Sequence, residues 1–219
     1  MSTKERILRE ALNLFSVRGY DAVSLRDIAA AVGIKESSLY NHFKNKQDIF
    51  DSIIDWCLAR SNEYFHDAHL VGDDRVFSVD AATVGMYGGM TEDLFVETVG
   101  QVFAAIFADE ISVKLRRMLT IEQFRGEKQA RLFREISFES ALRFQTQLFR
   151  AMIDAGFFIS ADPELMALEF FSPAFLIFYK FDGDAEGVAK AKELFMRHVR
   201  HFSRTYAARK PGSETPGVR

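Results

Sequence analysis

Eight of the ten residues from Ser37 to Lys46 can donate or accept a hydrogen bond, namely Ser37, Ser38, Tyr40, Asn41, His42, Lys44, Asn45 and Lys46. The other two, Leu39 and Phe43, are four residues apart, which is the spacing of one helix face. A short helix with this pattern has a small apolar back and a front suited to recognition. Polar groups at the N-terminal end of such a helix can meet base edges in a major groove, while donors at its flanks meet phosphates. Lys35, Glu36, Ser37 and Asn41 are the base-edge candidates. Asn pairs bidentately with adenine, Lys with guanine, and Glu accepts from cytosine. Ser38, Tyr40, His42 and Lys46 are hydroxyl, imidazole or ammonium donors suited to phosphates, and Ser24 and Arg26 can add to them. Lys46 also falls in the first turn of the next helix, whose N-terminus attracts an anion. Read from pattern alone, the same residues can be the solvated face of a structural helical hairpin.

Helical spacing dominates the elements that must hold this stretch. Ser2 with Glu5 reads as a capping box opening a helix whose apolar face is Ile7, Leu8, Ala11, Leu14 and Phe15, stopped at Gly19. Ser24 with Asp27 caps a second helix that ends at Gly33. A third follows at once, from about residue 35 to 43. Asn45 with Asp48 caps a long fourth helix running to about residue 68. Two short helices joined by Val32-Gly33-Ile34 are a helix-turn-helix candidate.

Residues 7–50, and within them Ala11, Leu14 and Phe15, then GYDAVSLRDIA, Val32-Gly33 and SLYNHFKNK, strongly resemble the DNA-binding head of TetR-family transcriptional regulators. The resemblance implies that Ser24, Arg26, Tyr40, His42 and Lys46 contact DNA, and that residues 35–38 and 41 vary with the operator. It also implies a dimer on a palindromic operator, repression as the default, and release by a small, largely apolar effector. Beyond the head, the resemblance extends only to helix order and length, with MLTIEQF (118–124) and the Ser-Pro of LEFFSPAF similar to one branch of the family. The expected fold is all-α, about nine helices. It comprises a three-helix head at 1–48, a larger helical ligand-binding and dimerisation domain at 49–207, and a disordered tail at 208–219.

Residues 70–90 are less regular, with YGGM (87–90) reading as a flexible joint. Helices are then expected at about 91–108, 110–124, 126–155, 163–181 and 187–206, with a turn at DGDAEG between the last two. The helix at 163–181 is apolar almost all round, so both of its sides need cover, one from the protomer's own core and one from a partner chain. With the stripe Val188, Ala191, Phe195, Val199, Phe202 and Tyr206 on the last helix, it can form a four-helix bundle between two chains, the dimerisation mode of the family. Phe171, Phe175, Phe178, Phe195, Val199 and Phe202 are the expected interface. Pro173 should kink the helix. The middle helices carry a surplus among the 22 Phe of the chain, and bulky adaptable side chains can line an apolar cavity. Trp56, Phe95, Phe103, Phe107, Met118, Glu122 and Phe144 are the expected pocket residues, with Gln123, Arg125 and Gln145 as further polar groups.

The 219-residue chain is 48% hydrophobic, and its net charge of −3 divides into +2 over residues 1–48 and −5 over the rest. A mildly basic head on an acidic body agrees with a phosphate-facing head. The N-terminus has no signal-peptide pattern, no apolar run is long enough to span a bilayer, and Cys57 is the one cysteine, so a cytoplasmic protein is expected. Glu63 with His66 resembles half of a di-iron motif, and His66/His69 and His198/His201 are three apart, but surface or capping roles suit them better than metal. Nucleophile-elbow, phosphate-loop and dinucleotide motifs are missing, so neither enzyme chemistry nor a cofactor is expected. The competing reading is a helical carrier or enzyme for hydrophobic molecules with a vestigial head, which would bind DNA weakly and without sequence preference.

Overall fold

The computed structural model describes residues 1–67, 79–182, 184 and 187–208, apart from the side chains of residues 63, 64 and 67. The Glu63 side chain, His69, half of the DGDAEG turn and the 209–219 tail therefore lie outside the described set. Within it the helices are α1 (Thr3–Arg18), α2 (Leu25–Val32), α3 (Glu36–Leu39), α4 (Lys46–Asp67), α5 (Ala81–Gly89), α6 (Glu92–Ala108), α7 (Glu110–Glu122), α8 (Glu127–Arg134), α9 (Ser140–Asp154), α10 (Pro163–Lys180) and α11 (Gly187–Tyr206). The chain is all-α, with one isolated bridge, Phe158 to Ala207, among the described residues.

Local chemistry explains most helix starts. Ser2 and Glu5 form a reciprocal box at α1, as Ser24 and Asp27 do at α2. Asn45 Oδ1 accepts the Asp48 amide at 2.9 Å, and Asp109 Oδ2 the Ser112 amide at 2.8 Å. Gly19 and Gly33 end α1 and α2 with φ of 74° and 76°, a left-handed geometry that a Cβ strains. α3 is shorter than its apolar spacing suggests. Lys35 supplies no side-chain cap, and after Leu39 the His42 amide bonds to the Leu39 carbonyl three residues back, tightening the turn.

Two differences from the sequence reading concern the middle of the chain. Residues 81–89 form a helix rather than a joint, because Asp80 caps it at Thr83 and Val84 and Tyr87 are buried. Gly88 is needed there for close approach: a Cβ would come within 2.2 Å of the Phe157 ring. The helix expected over 126–155 is helical throughout but takes a π turn at Glu135–Glu139, so that α8 and α9 are distinct segments.

The chain forms two compact units, Met1–Arg75 with Ala104–Ser140, and Val76–Phe103 with Ala141–Arg219. In the first, α1 packs on α2, α4 and α7, and α7 also packs on α4 and α8. Ile7, Leu12, Phe15, Ile28, Phe50, Ile53 and Met118 fill its core. Cys57 belongs to the same packing, and burial pushes its thiol up to about 12, out of reach of easy ionisation.

In the second unit α10 packs on α11, and Phe149, Phe158, Phe170, Phe195 and Phe202 make an aromatic core. The α11 stripe faces this core. Phe195, Val199 and Phe202 are 5%, 0% and 2% exposed, with the Phe195 ring 4.1 Å from Phe103 and the Phe202 ring 4.9 Å from Phe170. In the single chain these three, expected at a partner interface, pack against the protomer's own side chains. Phe171, Phe175 and Phe178 are partly exposed, and the open side of α10 is instead formed by Leu165, Leu168, Leu176 and Tyr179. Arg200 and Arg204 of α11 bind Glu92 of α6 at 2.8 and 2.9 Å. No described helix is long and apolar enough to cross a membrane.

Candidate nucleic-acid interface

Leu39 and Phe43 are the anchors of α3 and its following turn, at 1% and 3% exposure. The Lys4 ammonium stands 5.6 Å over the Phe43 ring, tying this turn to α1. With the back anchored, the front is presented. Lys35, Glu36, Ser37, Tyr40, Asn41 and His42 are exposed, and Ser38 is half-buried. Arg26, one turn into α2, is exposed as well. Arg6 donates to the Val32 carbonyl at 2.7 Å, fixing the end of α2 against α1 just before the turn into α3.

Two of the anticipated phosphate donors have other partners. The Ser24 hydroxyl donates to Asp27 Oδ2 at 2.7 Å and accepts the Asp27 amide, so its proton serves the cap. The bonds from Ser24 hold the Asp27 carboxyl below the ordinary carboxylate range. Lys46 reaches back and donates to the carbonyls of Tyr20 and Val23, both at 2.8 Å. Of its three ammonium protons, one remains for an outside ligand. At the same helix start, Asp48 accepts the Lys44 amide at 2.8 Å. An arriving phosphate at the start of α4 therefore meets a carboxylate already in place.

The anticipated pocket residues are placed in both units. Trp56 lies in the first unit, partly exposed, with the Arg60 guanidinium 6.0 Å from its ring. Phe107 and Met118 are buried in that unit's core. Glu122 there is 4% exposed and accepts the Tyr20 amide at 2.7 Å, a role in the head that its sequence neighbourhood does not announce. In the second unit Phe95 packs edge-on to Tyr87, Phe103 stacks on Phe178 and Phe195, and Phe144 is buried. An open cleft of about 620 Å³ in the first unit lies between α4 and the α8 region. Asp51, Asp55, Lys128, Arg131 and Glu135 are among its lining, and none of the anticipated pocket residues lines it.

Comparison with known proteins agrees with the geometry of the head. Residues 7–53 match the family described as bacterial regulatory proteins, tetR family. The biofilm operon icaADBC negative transcriptional regulator IcaR of Staphylococcus epidermidis is 36% identical over 92 residues, covering 42% of this chain and 45% of IcaR. IcaR of Staphylococcus aureus is 35% identical over 79 residues, covering 36% of this chain and 40% of the relative. The matched part thus spans less than half of each relative.

Solved structures extend the likeness in fold to the whole chain. A TetR/AcrR-type regulator from Aquifex aeolicus superimposes with a TM-score of 0.65 at 17% identity, over 91% of this chain and 99% of that one. SmeT, the repressor of the Stenotrophomonas maltophilia multidrug efflux pump SmeDEF, gives 0.60 at 21% identity, over 100% and 96%. Its complex with triclosan gives 0.62 at 20% identity, over 100% and 97%. In its head, residues 7–53, this chain is similar to the tetR family of bacterial regulatory proteins, and in fold it is similar to such regulators over nearly its whole length.

Proposed function

We propose that this chain is a ligand-responsive transcriptional repressor that binds a palindromic operator as a homodimer and is released by a small, largely apolar effector. The observation that carries the reading is the two-sided α3 segment, with Leu39 and Phe43 buried behind an exposed Lys35, Glu36, Ser37, Tyr40, Asn41 and His42. Lys35, Glu36, Ser37 and Asn41 read base edges. Arg26, Ser38, Tyr40 and His42 hold phosphates, with Ser24 and the remaining proton of Lys46 in support. Repression follows IcaR and SmeT, whose names describe them as a negative regulator and a repressor.

One head touches few phosphates, so two copies engage successive grooves on one side of the duplex, half-sites about 34 Å apart or a multiple of that. The exposed side of α10 serves the dimer, since Leu165, Leu168 and Leu176 are 58%, 51% and 66% exposed in the single chain. The effector acts by favouring a conformer in which α4 carries the heads off groove spacing. An effector is supported by SmeT, which has been solved with triclosan. Which of Trp56, Phe95, Phe103, Phe107, Met118 and Phe144 would face it is part of the proposal. Coupling is reciprocal, so operator must weaken effector by the factor by which effector weakens operator.

The test is selection of duplexes from a random pool, followed by footprinting and titration of small apolar compounds against the bound complex. Enrichment of a palindrome and its release by a compound support the reading. A compound whose affinity ignores the operator contradicts the proposed coupling.

A further inference from the structure

Glu122, the last residue of α7, and Arg125, three residues on, hold a turn of the head. Glu122 Oε1 accepts the Tyr20 amide at 2.7 Å, and Glu122 Oε2 lies 2.9 Å from Arg125 Nη1. The Arg125 guanidinium stands 4.0 Å over the Tyr20 ring and 5.6 Å over the Phe50 ring, and approaches Asp21 at 4.0 Å. From the other side of the sequence, Lys46 stands 4.1 Å over the same Tyr20 ring and donates to the carbonyls of Tyr20 and Val23. Gly19 completes the contact: at φ 74°, a Cβ would come to 3.2 Å from Ile121 Cγ2.

Side chains from two other elements thus reach both backbone groups of Tyr20: Glu122 of α7 takes its N–H, and Lys46 of α4 donates to its C=O beside the Val23 amide, which bonds the same oxygen at 3.3 Å. A carboxylate buried to 4% exposure needs such partners, and the Tyr20 amide needs an acceptor, so each group is costly to leave alone. Residues 20–23 are the turn from α1 into α2. Ser24, the cap of α2, follows directly, and α2 leads through Gly33 into α3. Where the clamp sets this turn, it sets the start of α2 and so the aim of α3.

Resting on the proposed DNA-reading role of α3, we infer that Glu122 and Arg125 are positioning residues for sequence discrimination. They touch no DNA. They fix the turn from which the reading helix projects. Their removal costs selectivity more than phosphate affinity, because base-edge hydrogen bonds need a fixed α3 angle, whereas sequence-independent attraction to phosphates tolerates a loosened one.

The experiment uses the full chain and the duplex that the unsubstituted protein enriches from a random pool, beside an unrelated duplex of equal length. Glu122→Ala should lower the ratio of the two affinities by about tenfold or more, the equivalent of ~1.4 kcal/mol. Glu122→Gln, which keeps an acceptor for the Tyr20 amide, should stay within about threefold of the unsubstituted ratio. Loss of thermal stability in Glu122→Ala with an unchanged ratio would overturn the inference. Should Glu122→Ala not fold, Arg125→Met, which leaves Glu122 on the Tyr20 amide, must lower the ratio by itself, and an unchanged ratio there overturns it equally. Hydrogen exchange over residues 19–27 tests the clamp without DNA: Arg125→Met should speed it, Glu122→Gln should not, and equal rates in all proteins overturn it. Enrichment of no duplex by the unsubstituted protein would instead contradict the DNA-reading role, whatever the exchange rates show.

Discussion

Lys46 and Asn41 are both polar residues of the same short stretch, but their side chains do different things. Asn41 is exposed on the α3 front, whereas Lys46 is engaged with carbonyls 26 and 23 residues back in the chain. The sequence pattern made the first legible, because Leu39 and Phe43 mark the buried side and thereby the open one. It could not show the second, since a bond across that separation leaves no local periodicity. The bond from the Tyr20 amide to Glu122 was illegible for the same reason, the two residues being 102 apart. Substitutions should separate these roles. Asn41→Ala should change base preference at one operator position, and Tyr40→Phe should weaken binding to all duplexes alike, both measured by binding to single-base operator variants. Lys46→Met should lower the urea midpoint as well as DNA affinity, because it removes the side-chain donor from the Val23 carbonyl and leaves the Tyr20 carbonyl with the Val23 amide alone. A midpoint equal to that of Tyr40→Phe would show that the Lys46 bonds are dispensable. In the head's core, Phe15 is 0% exposed with rings of Tyr20 and Phe50 at 5.5 and 6.1 Å, so Phe15→Ala should cost about 3–5 kcal/mol in urea unfolding.

At the scale of elements, the caps and stop signals were the readable part. Ser2, Ser24 and Asn45 start helices where their side chains can accept an amide three residues on. The π turn at 135–139 was not readable, because an inserted residue in a helix leaves the apolar spacing on either side nearly intact. Nor was α5, whose glycines suggest a joint until Gly88 is seen against the Phe157 ring. Between α10 and α11, His198 places Nε2 3.0 Å from the Phe170 carbonyl, amid the rings of Phe170, Phe195 and Phe202. Burial depresses its affinity for a proton below the ordinary value of 6.5, and His201 adds to this while the Phe170 carbonyl and Glu169 oppose it. The unfolded chain then binds the proton more readily than the folded one, so stability is full above pH 6.5 and falls as pH drops through the lower folded value. Urea midpoints between pH 8 and pH 5 should decline, and His198→Gln should flatten the decline. An equal slope in both proteins would place the effect elsewhere.

The whole molecule combines a head that matches a family model with a body recognisable by fold alone. That division has a physical origin. Head residues must each satisfy a cap, a clamp or a groove, whereas a helical body keeps its shape under many exchanges of one apolar side chain for another. The direction of α10's apolar surface was legible in outline, since a helix without a polar face needs cover on two sides, but which residues face outward depended on how α11 fills the core. If that outward side joins two protomers, Leu168→Glu with Leu176→Glu should give a monomer in sedimentation at micromolar concentration and weaken operator binding by more than tenfold, as expected when two half-sites are no longer read together. A dimer that persists would move the interface elsewhere. The most direct measurement for the account as a whole is the footprint of the unsubstituted protein on the duplex it enriches from a random pool. The account predicts two symmetric protected half-sites about 10 base pairs apart, or a multiple of that spacing. Uniform protection of unrelated duplexes, or no enriched sequence, would contradict it.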